Sequence, residues 1–217
     1  IYSLYKNKIK HLMVHGHARP YNILIIILAK IFGIKVYLRS ESTDHAAKRK
    51  FLSAIVIFFI DKCIEHYFSI GDLNRDYYLN RGVDKTKISH LGYNINNDFF
   101  YNFRLQKKSK DLFYKKYDLN NKIKFLYLSK LTKRKNILFL SKNYIYLISK
   151  NKKFKDSTNL IIVGDGELKI DVINLIKKFK KNIIFLGFQN QSQIPFYYKV
   201  SDFFILPSSK ENWGLVV

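Results

Sequence analysis

The sequence is poor in cysteine. Cys63 is the only one in 217 residues, which excludes an intrachain disulfide framework. It follows the apolar run Ala54–Ile60, so a buried, inert thiol in a reducing compartment is the expectation. Proline is scarce as well. Pro20, Pro195 and Pro207 are the three, and each falls at the edge of an expected element, where the missing N–H is tolerated. No apolar run is long enough to cross a bilayer: Ile23–Leu38 is interrupted by Lys30 and Lys35, and Phe51–Ile60 is too short. The latter follows Lys48-Arg49-Lys50, so it reads either as a helix buried in an α/β domain or as one lying on a membrane surface.

Acidic residues are few, 16 against 39 basic ones, for a formal charge of +23. Such an excess invites a nucleic-acid partner. Only seven of the basic residues are arginine, the usual reader of bases and phosphates. The lysines are spread along the chain beside abundant Asn and Ile, as a coding bias toward A and T would produce. A solvated lysine surface is therefore the preferred reading and nucleic acid is not expected. An anionic membrane surface or an anionic substrate remains compatible.

What is abundant is apolar: 47% of residues, enough for a core. Short runs alternate with amphipathic stretches. Strands are expected at 11–14, 35–38, 66–70, 88–91, 123–129, 160–163, 183–186 and 203–206. Helices are expected at 21–32, 46–63, 73–81, 136–150, 168–178 and 193–200. Strands alternating with helices predict an α/β fold with parallel sheets covered on both faces. The stretch 101–121 is polar, lysine-rich and without a strand, so it marks a boundary between two domains, 1–105 and 106–217. The chain opens on Ile1 and stops inside SSKENWGLVV, which closes no element. It reads as an internal fragment of a longer protein, a reading under which a signal peptide could go unseen.

Three segments carry chemistry. In FLYLSKLTKRKN (Phe125–Asn136) a strand leads to Lys130 and Lys135, and Asn136 is placed to cap the following helix. Two ammonium groups beside a helix N-terminus would suit a diphosphate; a basic surface loop fits equally. In LIIVGDGELK (Leu160–Lys169) a buried strand ends in Gly164-Asp165-Gly166, which suggests a Rossmann-type nucleotide turn. The dinucleotide fingerprint needs a third glycine where Lys169 stands, so hydride transfer is disfavoured, and a plain tight turn stays open. In the last segment a strand ends at Gly187-Phe188, a second strand leads to Pro207, and the loop beyond carries Glu211.

In this order, SKLTKRKN, IIVGDGELK, IIFLGF and YYKVSDFFILPSSKENWGLVV resemble the retaining glycosyltransferases of family 4, with the GT-B fold. The resemblance extends more loosely over SIGDLNRDYYLNRGVDKTKISHLGYNINNDFF (Ser69–Phe100), and VHGHARPYNILIIILAKIFGIKVYLRSES is similar to sugar transferases of surface-polysaccharide assembly. It implies two Rossmann-like domains, both incomplete here, the first on the acceptor side and the second for the donor. Glu211 matches the first acid of the family's Glu-x7-Glu motif, whose second would fall two residues beyond Val217. This stretch alone is therefore expected to be inactive.

By the resemblance, Lys130 (where the family usually has Arg) and Lys135 grip the donor diphosphate, and Glu211 contacts the transferred sugar. Gly187 and Phe188 line the nucleobase pocket. The backbone of Trp213, Gly214, Leu215 and Val216 faces the phosphates. Gly164 and Gly166 belong to the nucleotide turn. No cofactor or metal is expected beyond the nucleotide-diphosphate sugar, and the implied acceptor is a glycan or lipid-linked sugar. The location implied is cytoplasmic, with a peripheral place on the inner face of the plasma membrane left open. Many relatives have a catalytic-domain His after the strand read here as KVYLRSEST; this chain has Arg39-Ser40-Glu41-Ser42 instead. His15, His17 and Glu41 are candidates near an acceptor, each equally readable as a turn or surface residue. A nucleotide-sugar epimerase and a basic nucleic-acid-binding module are the alternatives.

Overall fold

The computed structural model describes residues 2–17, 19–44, 51–211 and 214. The chain forms two units, Ile1–Asn94 and Ile95–Val217. Residues 95–105, which the composition places in the first domain, are counted with the second: the Phe100 ring meets Tyr198, with centroids 6.4 Å apart.

The first unit runs α1 (Tyr2–Lys6), β1 (His11–His15), α2 (Pro20–Ile31), β2 (Lys35–Arg39), α3 (Phe51–Asp61), β3 (Ile64–Ser69), α4 (Asp72–Leu79) and β4 (Ile88–His90). Its strands are all parallel, in the order β1-β2-β3-β4. Pro20 occupies the first turn of α2, where its missing N–H costs nothing. Val36 and Leu38 point from β2 into a core completed by Ile26 and Ala29 of α2, and by Tyr67 and Tyr78. Two apolar residues at alternate strand positions thus meet a helix stripe spaced by three.

The second unit runs α5 (Asn97–Tyr101), α6 (Lys107–Tyr117), β5 (Ile123–Leu128), α7 (Ile137–Lys150), α8 (Lys152–Ser157), β6 (Thr158–Val163), α9 (Lys169–Ile176), β7 (Ile183–Gly187), α10 (Ile194–Lys199) and β8 (Phe203–Phe204). Its strand order is β7-β6-β5-β8, again all parallel. Strand β6 is buried at all six positions, as expected of a central strand covered on both faces. The period of two divides its side chains: Leu160 and Ile162 join Tyr127, Ile137 and Val172 on one face. Ile161 and Val163 join Leu126, Leu128 and Tyr197 on the other.

One local expectation is corrected. Asn136 does not cap α7 with its side chain; it sits at φ 58° between the 3-10 turn Lys133–Lys135 and the helix, a left-handed conformation that asparagine tolerates better than most residues. The lysine-rich stretch 101–121, read as strandless and as the domain boundary, holds no strand and contains α6. Phe113, Tyr114 and Tyr117 pack onto the second face of the sheet, and the Tyr114 hydroxyl donates to the Val200 carbonyl at 3.0 Å.

Candidate functional site

In a parallel sheet the loops leaving the carboxyl ends of the strands gather at one edge, and the crevice opens where successive connections diverge to opposite sides. In the second unit β6 and β7 lie on one side of β5 and β8 on the other. The site therefore belongs to the loops after β5, β6, β7 and β8.

The first two loops are sewn together. Leu131 N–H donates to Asp165 O at 2.9 Å, Leu168 N–H donates to Leu131 O at 3.0 Å, and Gly164 N–H donates to Gly187 O at 2.8 Å. The approach is so close that a Cβ on Gly164 would stand 1.9 Å from the Ser129 carbonyl oxygen, and one on Gly166 2.7 Å from the Leu131 oxygen. Both glycines also have positive φ, 146° and 155°. The Gly-Asp-Gly turn is thus required by loop packing, whatever else it contacts. Asp165 accepts from the Gly166 N–H and from Lys169, at 2.7 and 2.6 Å. These two hydrogen bonds outweigh desolvation and hold its carboxyl below the usual range.

Over these loops lies a cleft of about 520 Å³, within the range of small-ligand sites. Ser129, Lys130, Gly164, Gly166, Phe188 and Gln189 line it. Lys130 is exposed, and Phe188 presents its ring with 67% of its surface accessible. Gln189, which sequence reasoning passed over, is held by the Tyr197 hydroxyl, which donates to its Oε1 at 2.8 Å, while its own amide donates to Leu186 O at 2.9 Å. Gly187, at φ 68°, ends β7 just ahead of Phe188.

Beside the cleft the loops after β5 and β8 are clasped. Ser209 N–H donates to Arg134 O at 2.9 Å. Lys135, only 8% exposed, donates from Nζ to the Glu211 carboxylate, which also accepts from Ser208 Oγ at 3.2 Å. Arg134 Nη1 stands 3.9 Å away. Desolvation pushes the Glu211 carboxyl up, but the hydrogen bond and charge of Lys135, with Ser208 and Arg134, prevail and hold it below the ordinary carboxylate range. The structure thus brings Lys135 and Glu211 together and places Lys130, Gly164, Gly166 and Phe188 around one cleft. Gly214 has φ 69°; Trp213, Leu215 and Val216 lie outside the described residues.

The candidates of the first unit collect at the carboxyl end of its own sheet. His15 ends β1 and is exposed, and His17 is buried. The Asn22 amide fixes the turn between them by donating to His15 O and Gly16 O at 3.0 and 2.9 Å. Glu41 accepts from the Tyr93 hydroxyl. Arg39 lies 4.4 Å from the Tyr93 ring centroid and donates to Leu91 O and Gly92 O at 3.3 and 3.2 Å. Burial first, then the Glu41 carboxylate, push the Tyr93 hydroxyl up to about 12. Arg39 and Tyr93 were not singled out from sequence; a basic residue at a strand's carboxyl end was the available signal.

The profile of the family described as Glycosyl transferases group 1 matches residues 108–217, just over half of the chain. The chain belongs to this family. No curated protein matches it. Among solved structures, Anabaena Alr3699/HepE in complex with UDP is similar over 100% of this chain and 58% of its own, at 11% identity and a TM-score of 0.72. WaaG, a glycosyltransferase involved in lipopolysaccharide biosynthesis, aligns over 99% of this chain and 71% of its own, at 13% identity and 0.61. The trehalose-6-phosphate structure from E. coli, bound with UDP-2-fluoro glucose, aligns over 95% of this chain and 54% of its own, at 10% identity and 0.69. The fold of this group 1 chain is accordingly the GT-B arrangement of Rossmann-like units with parallel sheets. The chain spans 58% and 54% of the lengths of the Anabaena and E. coli proteins.

Proposed function

We propose that the second unit binds the nucleoside diphosphate of a sugar donor, and that the protein is a retaining glycosyltransferase of family 4. The observation that carries this reading is the clasp: a nearly buried Lys135 ammonium held by Glu211, beside a cleft lined by Lys130 and the two close-packed glycines of one turn. A lysine so placed is a preorganised cation. When the anomeric bond breaks, negative charge grows on the departing diphosphate, and fixed positive groups stabilise it without reorganisation. In this reading Lys130 and Lys135 supply that charge without a metal, Phe188 offers a face to the base, and Glu211 turns toward the sugar once the donor takes its place beside Lys135. The UDP in the Anabaena structure and the UDP-sugar analogue in the E. coli one make uridine nucleotides the first donors to try.

The acceptor in this reading is a glycan or lipid-linked sugar on the cytoplasmic side of a membrane, as in surface-polysaccharide synthesis. The role of WaaG in lipopolysaccharide biosynthesis supports the direction. Calorimetric titration of UDP into the chain tests the donor half. Lys135→Ala should weaken binding about tenfold or more, since a hydrogen bond to a charged group contributes roughly 1.5–3 kcal/mol. No binding by the unaltered chain, or equal affinity in the variant, would overturn the assignment.

A further inference from the structure

Helix α3 is apolar almost throughout, and a helix of that kind belongs in a core or a membrane. Of its side chains from Ile55 onward, Ile60 is buried at 2%, while Ile55, Val56, Phe58 and Phe59 are exposed, the two rings by 57% and 61%. The buried-helix reading of this run therefore accounts for one side of it only. Helix α2 packs beside it and carries an exposed stripe of its own, Tyr21, Leu24, Ile27 and Ile31, spaced by three or four residues. Contiguous apolar surface on two neighbouring helices marks an interaction site.

The two helices carry a single acid between them, Asp61. The first forty residues contain no Asp or Glu, and Lys48-Arg49-Lys50 precede α3 in the sequence. The one acid of α3, Asp61, is turned inward: it accepts from the Tyr67 hydroxyl at 2.7 Å and from Arg81, whose side chain is 2% exposed. Cations border the stripes instead. Lys30 is in the last turn of α2, and Lys62 follows α3 with its Nζ 4.6 Å from the Phe58 ring centroid. A second copy of a chain carrying +23 would bring like charges together here. A lysine beside aromatic rings can instead keep its ammonium among phosphates while the rings enter the acyl boundary.

We infer that the outer face of α2 and α3 docks on an anionic lipid bilayer. The helices lie on the surface rather than through it, since among the described residues no helix is long and apolar enough to cross a membrane. The inference is independent of the donor site.

The test is co-sedimentation of the full chain with vesicles of phosphatidylcholine alone or mixed with phosphatidylglycerol. The chain should pellet with the mixed vesicles and much less with the neutral ones. Phe58→Ser/Phe59→Ser should cut the partition coefficient about tenfold or more, because each ring would otherwise bury its surface in lipid. Lys30→Glu/Lys62→Glu should also weaken binding to the anionic vesicles. An unchanged thermal transition confirms that each variant is folded, and the two pairs alter different surface chemistry. Failure of the unaltered chain to pellet, equal pelleting with neutral vesicles, or full retention by both variants would overturn the proposal. So would a concentration-dependent dimer abolished by the Phe58/Phe59 variant, which would assign the face to a second copy, or an acidic protein that displaces the vesicles.

Discussion

Glu211 is the residue on which the proposed donor site turns, because its charge is matched to Lys135 in the free chain. Its carboxyl titrates below the ordinary range in the folded protein, with the raising effect of desolvation outweighed by Lys135, Ser208 and Arg134. A depressed folded pKa stabilises the fold above the unfolded value, and that contribution disappears as pH falls through the folded one. The stability gap between the unaltered chain and Glu211→Gln should therefore be widest near neutral pH and close under acid, as followed by denaturant titration at several pH values. A gap independent of pH would mean that the ion pair contributes no linkage. Single residues also show what sequence reading can and cannot reach. The glycines at 164 and 166 were visible as a turn. That they are forced by the Ser129 and Leu131 carbonyl oxygens was not, because that contact joins residues more than thirty positions apart. Gln189 escaped notice because its place comes from the Tyr197 hydroxyl and the Leu186 carbonyl, contacts that no motif displays.

Elements were legible where burial is symmetric. Strand β6 is apolar because both its faces are covered, and a short apolar run bounded by turn residues states that directly. Helix α6 was hidden by its lysines: Phe113, Tyr114 and Tyr117 form a narrow stripe in a segment whose composition reads as a domain boundary. Helix α3 shows the opposite limit, since its apolar sequence gave no sign of which side faces out. Its position is fixed at one end by a polar knot, in which Asp61 meets Arg81 and the Tyr67 hydroxyl. Burial, then the Asp61 hydrogen bond, push that hydroxyl far above its ordinary range, so it stays protonated and donating. Arg81→Met would leave a largely buried carboxylate without its cation. Loss of one partner of a buried pair costs roughly 3–5 kcal/mol, so the denaturation midpoint of the first unit should fall accordingly. A shift below about 1 kcal/mol, the range of surface pairs, would show that Asp61 finds other compensation.

At the scale of the molecule, each unit has its own parallel sheet and its own buried clusters, and the family match covers residues 108–217. The cleft and the Lys135–Glu211 clasp both lie in the second unit. A ligand stabilises the folded unit that binds it by RT ln(1 + [L]/Kd), about 2.7 kcal/mol at a hundredfold excess over Kd. Calorimetric scans of the whole chain should then resolve two transitions, and UDP should raise one while leaving the other in place. Arg81→Met should lower the transition that UDP does not move, which assigns each transition to its unit without cutting the chain. A single transition raised by UDP and lowered by Arg81→Met would mean that the two cores unfold as one, and the proposed donor site would then share the stability of both.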